Sequence, residues 1–353
     1  MTAGAWRMPP EWAPHDRTWM AWPSAGYTLG DTEDEADVAR GTWAAVARAV
    51  AGFEPVVLVA DPSASATARH WVGRGGATVH GIEVVEAPLD DAWMRDIGPT
   101  FVVGADGRLG AVDWVFNGWG AQAWASWEHD ARIGTFVADR AGVTRIGSDL
   151  VNEGGGIHVD GLGTVLLTET VQLDPGRNPG LTRADVEAEL ARTIGATTCL
   201  WLPRGLTRDY DEFGTRGHVD IVATFASPGV VLLHWQQDPA HPDHEVSREL
   251  EALLASSRDA RGEPLEVVRV PAPKTLEDDE GWVDWSYINH LVVNDGVVAC
   301  TYEDPQDADS LAVLEAAYDG RRVVGVDARP LFDRGGGIHC ITQQQPRVTD
   351  PAP

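Results

Sequence analysis

Apolar and polar positions along this chain fall into one phrase that returns several times. Two short apolar runs flank a turn holding Gly, Asn or Asp, the pattern of a β-hairpin. It reads PTFVVGADGRLGAVDW at 99–114, IHVDGLGTVLLTE at 157–169, HVDIVATFASPGVVLLHW at 218–235 and INHLVVNDGVVACTY at 288–302. GIHCITQQ at 337–344 reads as the start of one more, and Gly107, Gly163, Gly229 and Gly296 mark the turns. Between these hairpins the period changes to that of a helix, and another strand-like run follows. LTRADVEAELARTIG offers Thr182 as an N-cap with Val186, Leu190 and Ile194 on one face, then TTCLWLP. HEVSRELEALLASS puts Val246, Leu250, Leu253 and Leu254 on one stripe ahead of LEVVRVP. DADSLAVLEAAY precedes RRVVGVD, and TWAAVARAV precedes EPVVLVA. The predicted unit is hairpin, helix, strand, repeated about five times. One unit cannot cover its own apolar faces, and a ring of them closes without edges. No Ser/Pro-rich linker interrupts the series, so the pattern predicts an α/β fold in one domain spanning 1–353.

Composition changes this picture in three respects. No apolar run approaches the length of a membrane span, and MTAGAWRMPPEW lacks the basic and apolar regions of a signal peptide. Cys199, Cys300 and Cys340 have no disulfide or zinc-knuckle spacing, which fits a reducing, cytoplasmic setting. The formal charge is −27, with Lys274 the only lysine, so nucleic acid is not an expected partner. Such acidity either keeps a protein soluble or concentrates a small cationic substrate in a cleft.

Candidate chemistry gathers at the mouths of the hairpins, in DDAWMRDIGPT, NEGGGIHVDG, GTRGHVDI and RGGGIHCI. Strand alternation would turn His218 and Asp220 to one face, and would put Cys340 with Ile338 and His339 opposite. If the units surround an axis, Asp96, Glu153, His218, Asp220 and Cys340 converge. Carboxylates bind a cation through charge-assisted bonds, a thiolate attacks, and an imidazole moves protons. The bland alternatives remain: a core cysteine, a turn-capping Asp96, glycines that merely bend a barrel mouth. A metal site finds no support in the ligand spacing.

MPPEWAPHDRTWMAWP, DAWMRDIGPTFV, NEGGGIHVDGLGTVLLTE, WLPRGL, GHVD, SYIN…NDGVV and GGGIHCITQQQP together resemble the agmatine deiminases. These belong to the guanidino-group-modifying superfamily, with bacterial peptidyl-arginine deiminases and arginine deiminases, and the resemblance covers nearly the whole chain. It implies a five-bladed pseudo-symmetric α/β propeller that hydrolyses a guanidinium to a ureido group and ammonia without metal or cofactor. With agmatine the product is N-carbamoylputrescine, a step of putrescine and polyamine metabolism. By motif, Cys340 matches the nucleophile that forms a thiouronium, and His218 the general acid/base. Asp96 and Asp220 match the carboxylates that grip the guanidinium, with Glu153 beside the histidine. Trp93 would wall the substrate channel, and Asn289 would stand at its rim. The sequence departs from the family at two points. Gly337 occupies a position usually held by Asn, and RDYDEFGTRGHVD is longer than the usual acidic turn. Asp209, Asp211 and Glu212, beside Tyr210 and Phe213, would seat the ammonium end of agmatine. Arg208 and Arg216 flank them and could instead receive a carboxylate. Arginine or peptidyl-arginine as substrate, an amidinotransferase, and a propeller that binds a cationic ligand without turnover are the competing readings. A homo-oligomer is left open.

Overall fold

The computed structural model describes residues 6–348. The first and last five positions of the expected domain, including the start of the N-terminal phrase, lie outside the described residues. Helices form where the 3.6-residue period placed them. Thr182 accepts from the Asp185 amide while Asp185 bonds back, a capping box that starts the helix Arg183–Thr193. Such a cap stabilises by about 1 kcal/mol. Val186 and Leu190 are buried beneath that helix, and Val246, Leu250 and Leu254 beneath Asp243–Ser256.

The hairpin, helix, strand unit is present five times among the described residues. Thr100–Gly104 pairs antiparallel with Leu109–Val115, the helix Ile133–Ala141 crosses over, and Thr144–Val151 adds in parallel. Ile157–Val159, Thr164–Thr168, helix Arg183–Thr193 and Thr198–Leu202 repeat the scheme. So do Ala223–Ser227, Val230–Trp235, helix Asp243–Ser256 and Glu266–Pro271. The next unit is Leu291–Val293, Gly296–Thr301, helix Asp307–Ala317 and Arg322–Asp327. In the fifth, the hairpin is replaced by the two ends of the chain. Thr342–Pro346 pairs antiparallel with His15–Ala21, and Val56–Ala60 then joins in parallel after the helix Glu33–Val50. A further strand, Ile82–Glu86, extends that sheet. The result is a mixed α/β fold whose innermost strands are buried along most of their length. No helix among the described residues is long and apolar enough to cross a membrane.

Two strand boundaries differ from the expected pattern, and both bear on the site. The strand predicted from His218 begins only at Ala223, because 219–221 form a 3-10 turn. The His218 amide is already taken by the Asp209 carboxylate and the Thr215 hydroxyl, which withholds it from the ladder. Cys340 likewise lies in a turn rather than a strand. Thr342 closes that turn, its amide donating to the His339 carbonyl and its hydroxyl to the Ile338 carbonyl. Strand alternation therefore governs neither pair, and His339 points to the same carboxylate as Cys340.

Candidate active site

Each unit carries one short irregular segment immediately before the first strand of its hairpin, and the candidate residues occupy that one station in all five. Asp96 sits on a single helical turn ahead of Thr100–Gly104, and Glu153 ahead of Ile157–Val159. His218 and Asp220 precede Ala223–Ser227, Asn289 precedes Leu291–Val293, and Cys340 precedes Thr342–Pro346. All are buried. Glycine makes the convergence possible at two places. A Cβ on Gly155 would stand 2.5 Å from His218 Nδ1, and one on Gly336 would stand 3.0 Å from Cys340 Sγ and 2.8 Å from the Trp93 ring.

The side chains meet around the thiol. Asn289 Nδ2 donates to Cys340 Sγ at 3.2 Å, and the thiol lies 3.6 Å from Asp220 Oδ2. Asn289, expected at the rim, thus stands inside, against the sulfur. A Cβ on Gly337 would run into the Asn289 amide oxygen, which accounts for glycine at that position. His218 Nε2 is 3.3 Å from Glu153 Oε2, and Nδ1 is 3.9 Å from Asp96 Oδ1 with no hydrogen-bond partner. Arg177 Nε donates at 3.0 Å to both oxygens of Glu153. Asp96 accepts from Trp119 Nε1 at 2.9 Å and from the Gly155 amide at 3.1 Å. Asp220 Oδ2 faces His339 Nδ1 at 2.7 Å, while its Oδ1 has no partner.

These contacts set the protonation states. Burial, reinforced by Asp220 and Glu153 against the pull of His218, pushes Asp96 up to about 6. Burial works against the charge on Glu153 as well, but Arg177 and His218 overcome it and hold the acid at about 2. For His218, burial disfavours the cation, yet Asp96, Glu153 and Asp220 outweigh it and raise the imidazole to about 9. Burial, then Asp220 and Asp96, push the Cys340 thiol well above its ordinary value. Near neutral pH the site is a neutral thiol beside an imidazolium, with ionised carboxylates around both.

An aromatic wall leads outward from this cluster. Buried Trp93 donates from Nε1 to the Tyr27 hydroxyl at 3.0 Å, and Tyr27 stacks on Phe213 with centroids 4.6 Å apart. Trp119, the donor to Asp96, stacks on Trp124 at 5.3 Å, which meets Phe213 edge-on. Phe213 also lines a cavity of about 230 Å³, together with Asp211, Glu212, Glu280, Asp284, Asp333 and Arg208. Asp209 is not part of it. Its carboxylate turns inward and accepts from the Thr215, Gly217 and His218 amides at 2.6, 2.6 and 3.1 Å. Tyr210 is also otherwise engaged, with Gly205 and Thr170. The flanking arginines are paired: Arg208 with Asp278 and Glu280 at 2.5 and 2.7 Å, Arg216 with Asp174 at 3.4 Å. Sequence reasoning missed Arg177, Tyr27 and His339. It quoted Glu11 within MPPEWAPH without assigning it a place beside His339.

Agmatine deiminases, which hydrolyse amidine carbon–nitrogen bonds, are built on this plan, and the chain is an enzyme of that class. It matches the Porphyromonas-type peptidyl-arginine deiminase family over residues 7–346, and belongs to that family. It is 59% identical over 343 residues, 97% of this chain and 99% of the relative, to a Streptomyces coelicolor protein provisionally named agmatine deiminase. An agmatine deiminase of Ectopseudomonas mendocina is 38% identical, covering 98% and 96% of the two chains. The solved agmatine deiminase of Enterococcus faecalis superposes with a TM-score of 0.89 at 31% identity, over 98% and 97% of the two chains.

Proposed function

We propose that this enzyme hydrolyses agmatine to N-carbamoylputrescine and ammonia through an amidino-cysteine on Cys340. The observation that carries the reading is a thiol packed against a buried carboxylate, with an aromatic cluster running from Trp93 to Phe213 and an acidic cavity at Phe213 whose one lining arginine, Arg208, is paired. A substrate cationic at both ends suits both places. The names of the relatives support the same substrate.

The chemistry follows from the charges. A guanidinium carbon is a poor electrophile because its charge is delocalised, and Asp96 and Asp220 localise it and fix its plane. The bound cation offsets the two carboxylates that suppress thiol ionisation, so Cys340 gives up its proton to solvent and becomes a thiolate when substrate arrives. Sulfur adds to the carbon, and His218, already protonated, gives its proton to the departing nitrogen. Ammonia leaves and a thiouronium remains on Cys340. Neutral His218 then takes a proton from water, the oxygen adds, the C–S bond breaks with the hydroxyl proton passing to the sulfur, and the neutral ureido product departs. Glu153, fixed by Arg177, keeps the imidazole oriented and basic enough to begin as an acid. The five units are proposed to close as the blades of one propeller domain in a cytoplasmic protein, with no metal or cofactor in the reaction.

Free arginine is the second reading, because it differs only at the far end. Its α-carboxylate would meet Asp211, Glu212 and Glu280, whose exposed like charges disfavour it weakly through screened solvent. Neither Arg208 nor Arg216 is free to receive it. Ammonia release from agmatine, arginine and a peptidyl arginine decides between them. Agmatine is expected to give a kcat/KM at least a few-fold above arginine, about the scale of exposed charge pairs. A higher value for arginine would move the substrate and leave the deiminase chemistry standing. Quenched enzyme should carry the adduct mass on the Cys340 peptide, and Cys340→Ala should abolish turnover.

A further inference from the structure

Behind Cys340 lies a second charged chain that the proposed reaction leaves unused. His339 Nδ1 stands 2.7 Å from Asp220 Oδ2 and its Nε2 2.8 Å from Glu11 Oε1. Arg95 Nη1 lies 3.3 Å from the same Glu11 oxygen, its Nε 3.3 Å from the His339 carbonyl, and its amide donates to the Cys340 carbonyl at 3.0 Å. All four side chains are buried.

A neutral imidazole has one N–H, and two carboxylates face this ring, so only the imidazolium satisfies both. One neighbouring imidazole, His158, also faces Glu11, its Nε2 3.7 Å from Oε2. His158 accepts from the Phe225 amide through Nδ1 and bonds the Thr224 hydroxyl through Nε2. His290 is engaged by the Tyr287 carbonyl and the Tyr318 hydroxyl. Asp220, His339, Glu11 and Arg95 therefore form a charge-balanced line that runs from the N-terminal segment to the site. Its effect on Asp220 is specific. Oδ2 meets His339 at 2.7 Å and the Cys340 thiol at 3.6 Å, and Oδ1 is the oxygen left without a partner. Asp96, by contrast, is oriented by two neutral donors.

We propose that His339 is a positioning residue that acts through Asp220: anchored by Glu11, it fixes Asp220 with Oδ1 toward the guanidinium. The proposal rests on the reading above that Asp220 grips that group. The step lies in binding, so the test isolates binding. Agmatine affinity is measured by calorimetry in Cys340→Ala protein, alone and with Asp220→Asn, His339→Asn, or both. Each single change is expected to weaken agmatine about tenfold or more, and the double variant to bind no worse than Asp220→Asn, the signature of one shared interaction. In the otherwise wild-type enzyme, His339→Asn should act mainly on KM. Glu11→Gln should shift affinity the same way by a smaller factor, and it serves if His339→Asn does not fold. Unchanged affinity in both His339→Asn and Glu11→Gln overturns the inference, as do losses that multiply in the double variant. Unchanged affinity in Asp220→Asn overturns the assignment of Asp220, and the inference with it.

Discussion

Two imidazoles in this protein stand between pairs of buried carboxylates, each with an arginine behind one of them. His218 has Glu153 at 3.3 Å and Asp96 at 3.9 Å, with Arg177 clamped on Glu153. His339 has Asp220 at 2.7 Å and Glu11 at 2.8 Å, with Arg95 beside Glu11. The parts are the same and the fit differs. His339 is saturated, each ring nitrogen held short against an oxygen. His218 is held on one side, and its Nδ1 has no hydrogen bond to lose. A group that must pass a proton needs such a free valence, and a group that must hold a neighbour still needs none.

The contrast can be broken most sharply at the rings themselves. His218→Asn is expected to lower kcat about 10²- to 10⁴-fold with KM little changed, the scale of a lost general acid/base. His339→Asn should instead fall mainly on KM. If steady-state kinetics gave both variants one profile, the division of labour would collapse.

A pH titration sharpens it next. The reading needs Asp96 ionised and His218 protonated, so kcat/KM should rise near pH 6 and fall near pH 9. Stability carries the same signature. His218 is raised from about 6.5 in an unfolded chain to about 9, so its ion pairs stabilise fully below pH 6.5 and fade as pH climbs through 9. The contribution is on the order of 3 kcal/mol. Wild-type Tm should drop between pH 7 and 9 more steeply than that of His218→Asn, as thermal melts would show. Equal slopes would mean that His218 is not the group titrating.

The smallest effect belongs to the cavity mouth. Asp211 and Glu212 are exposed, and exposed charges act weakly through salt-screened solvent. Asp211→Asn with Glu212→Gln should raise the agmatine KM a few-fold at low salt and less at high salt. An effect that grows with salt would exclude an electrostatic role.

What the sequence made legible was what short range decides. The Thr182 cap and the stripes of Val246, Leu250 and Leu254 involve neighbours within a turn or two, and they fold as read. The hairpin mouths were also legible as places where Asp96, Glu153, His218, Asp220 and Cys340 gather. The orientation of their side chains was not, because alternation assumes a strand and Asp209 and Thr215 divert His218 from one. Asp209 itself looked like a mouth carboxylate. Nothing in RDYDEF announces that three amides six to nine residues downstream would claim it. The His339–Glu11 contact spans 328 positions, a distance over which residue spacing is silent. The N-terminal segment was read by its motif and not as a strand, so its pairing with the C-terminal end went unseen.

That pairing has a consequence for how the enzyme comes into being. Trp19 Nε1 donates to Gln345 across 326 residues of chain. Four of the five stations lie beside hairpins whose strands are separated by short turns, and such local pairings form early. The fifth station, with Cys340, depends on a pairing between strands separated by 326 positions. Loop closure over that span adds modest entropy, since the cost grows only with the logarithm of length, but it delays the event because non-local pairing is slow. Until then His15–Ala21 is an open edge. Cys340 thus stands beside the pairing of widest sequence separation among the five stations, and its seat depends on that one long loop being closed.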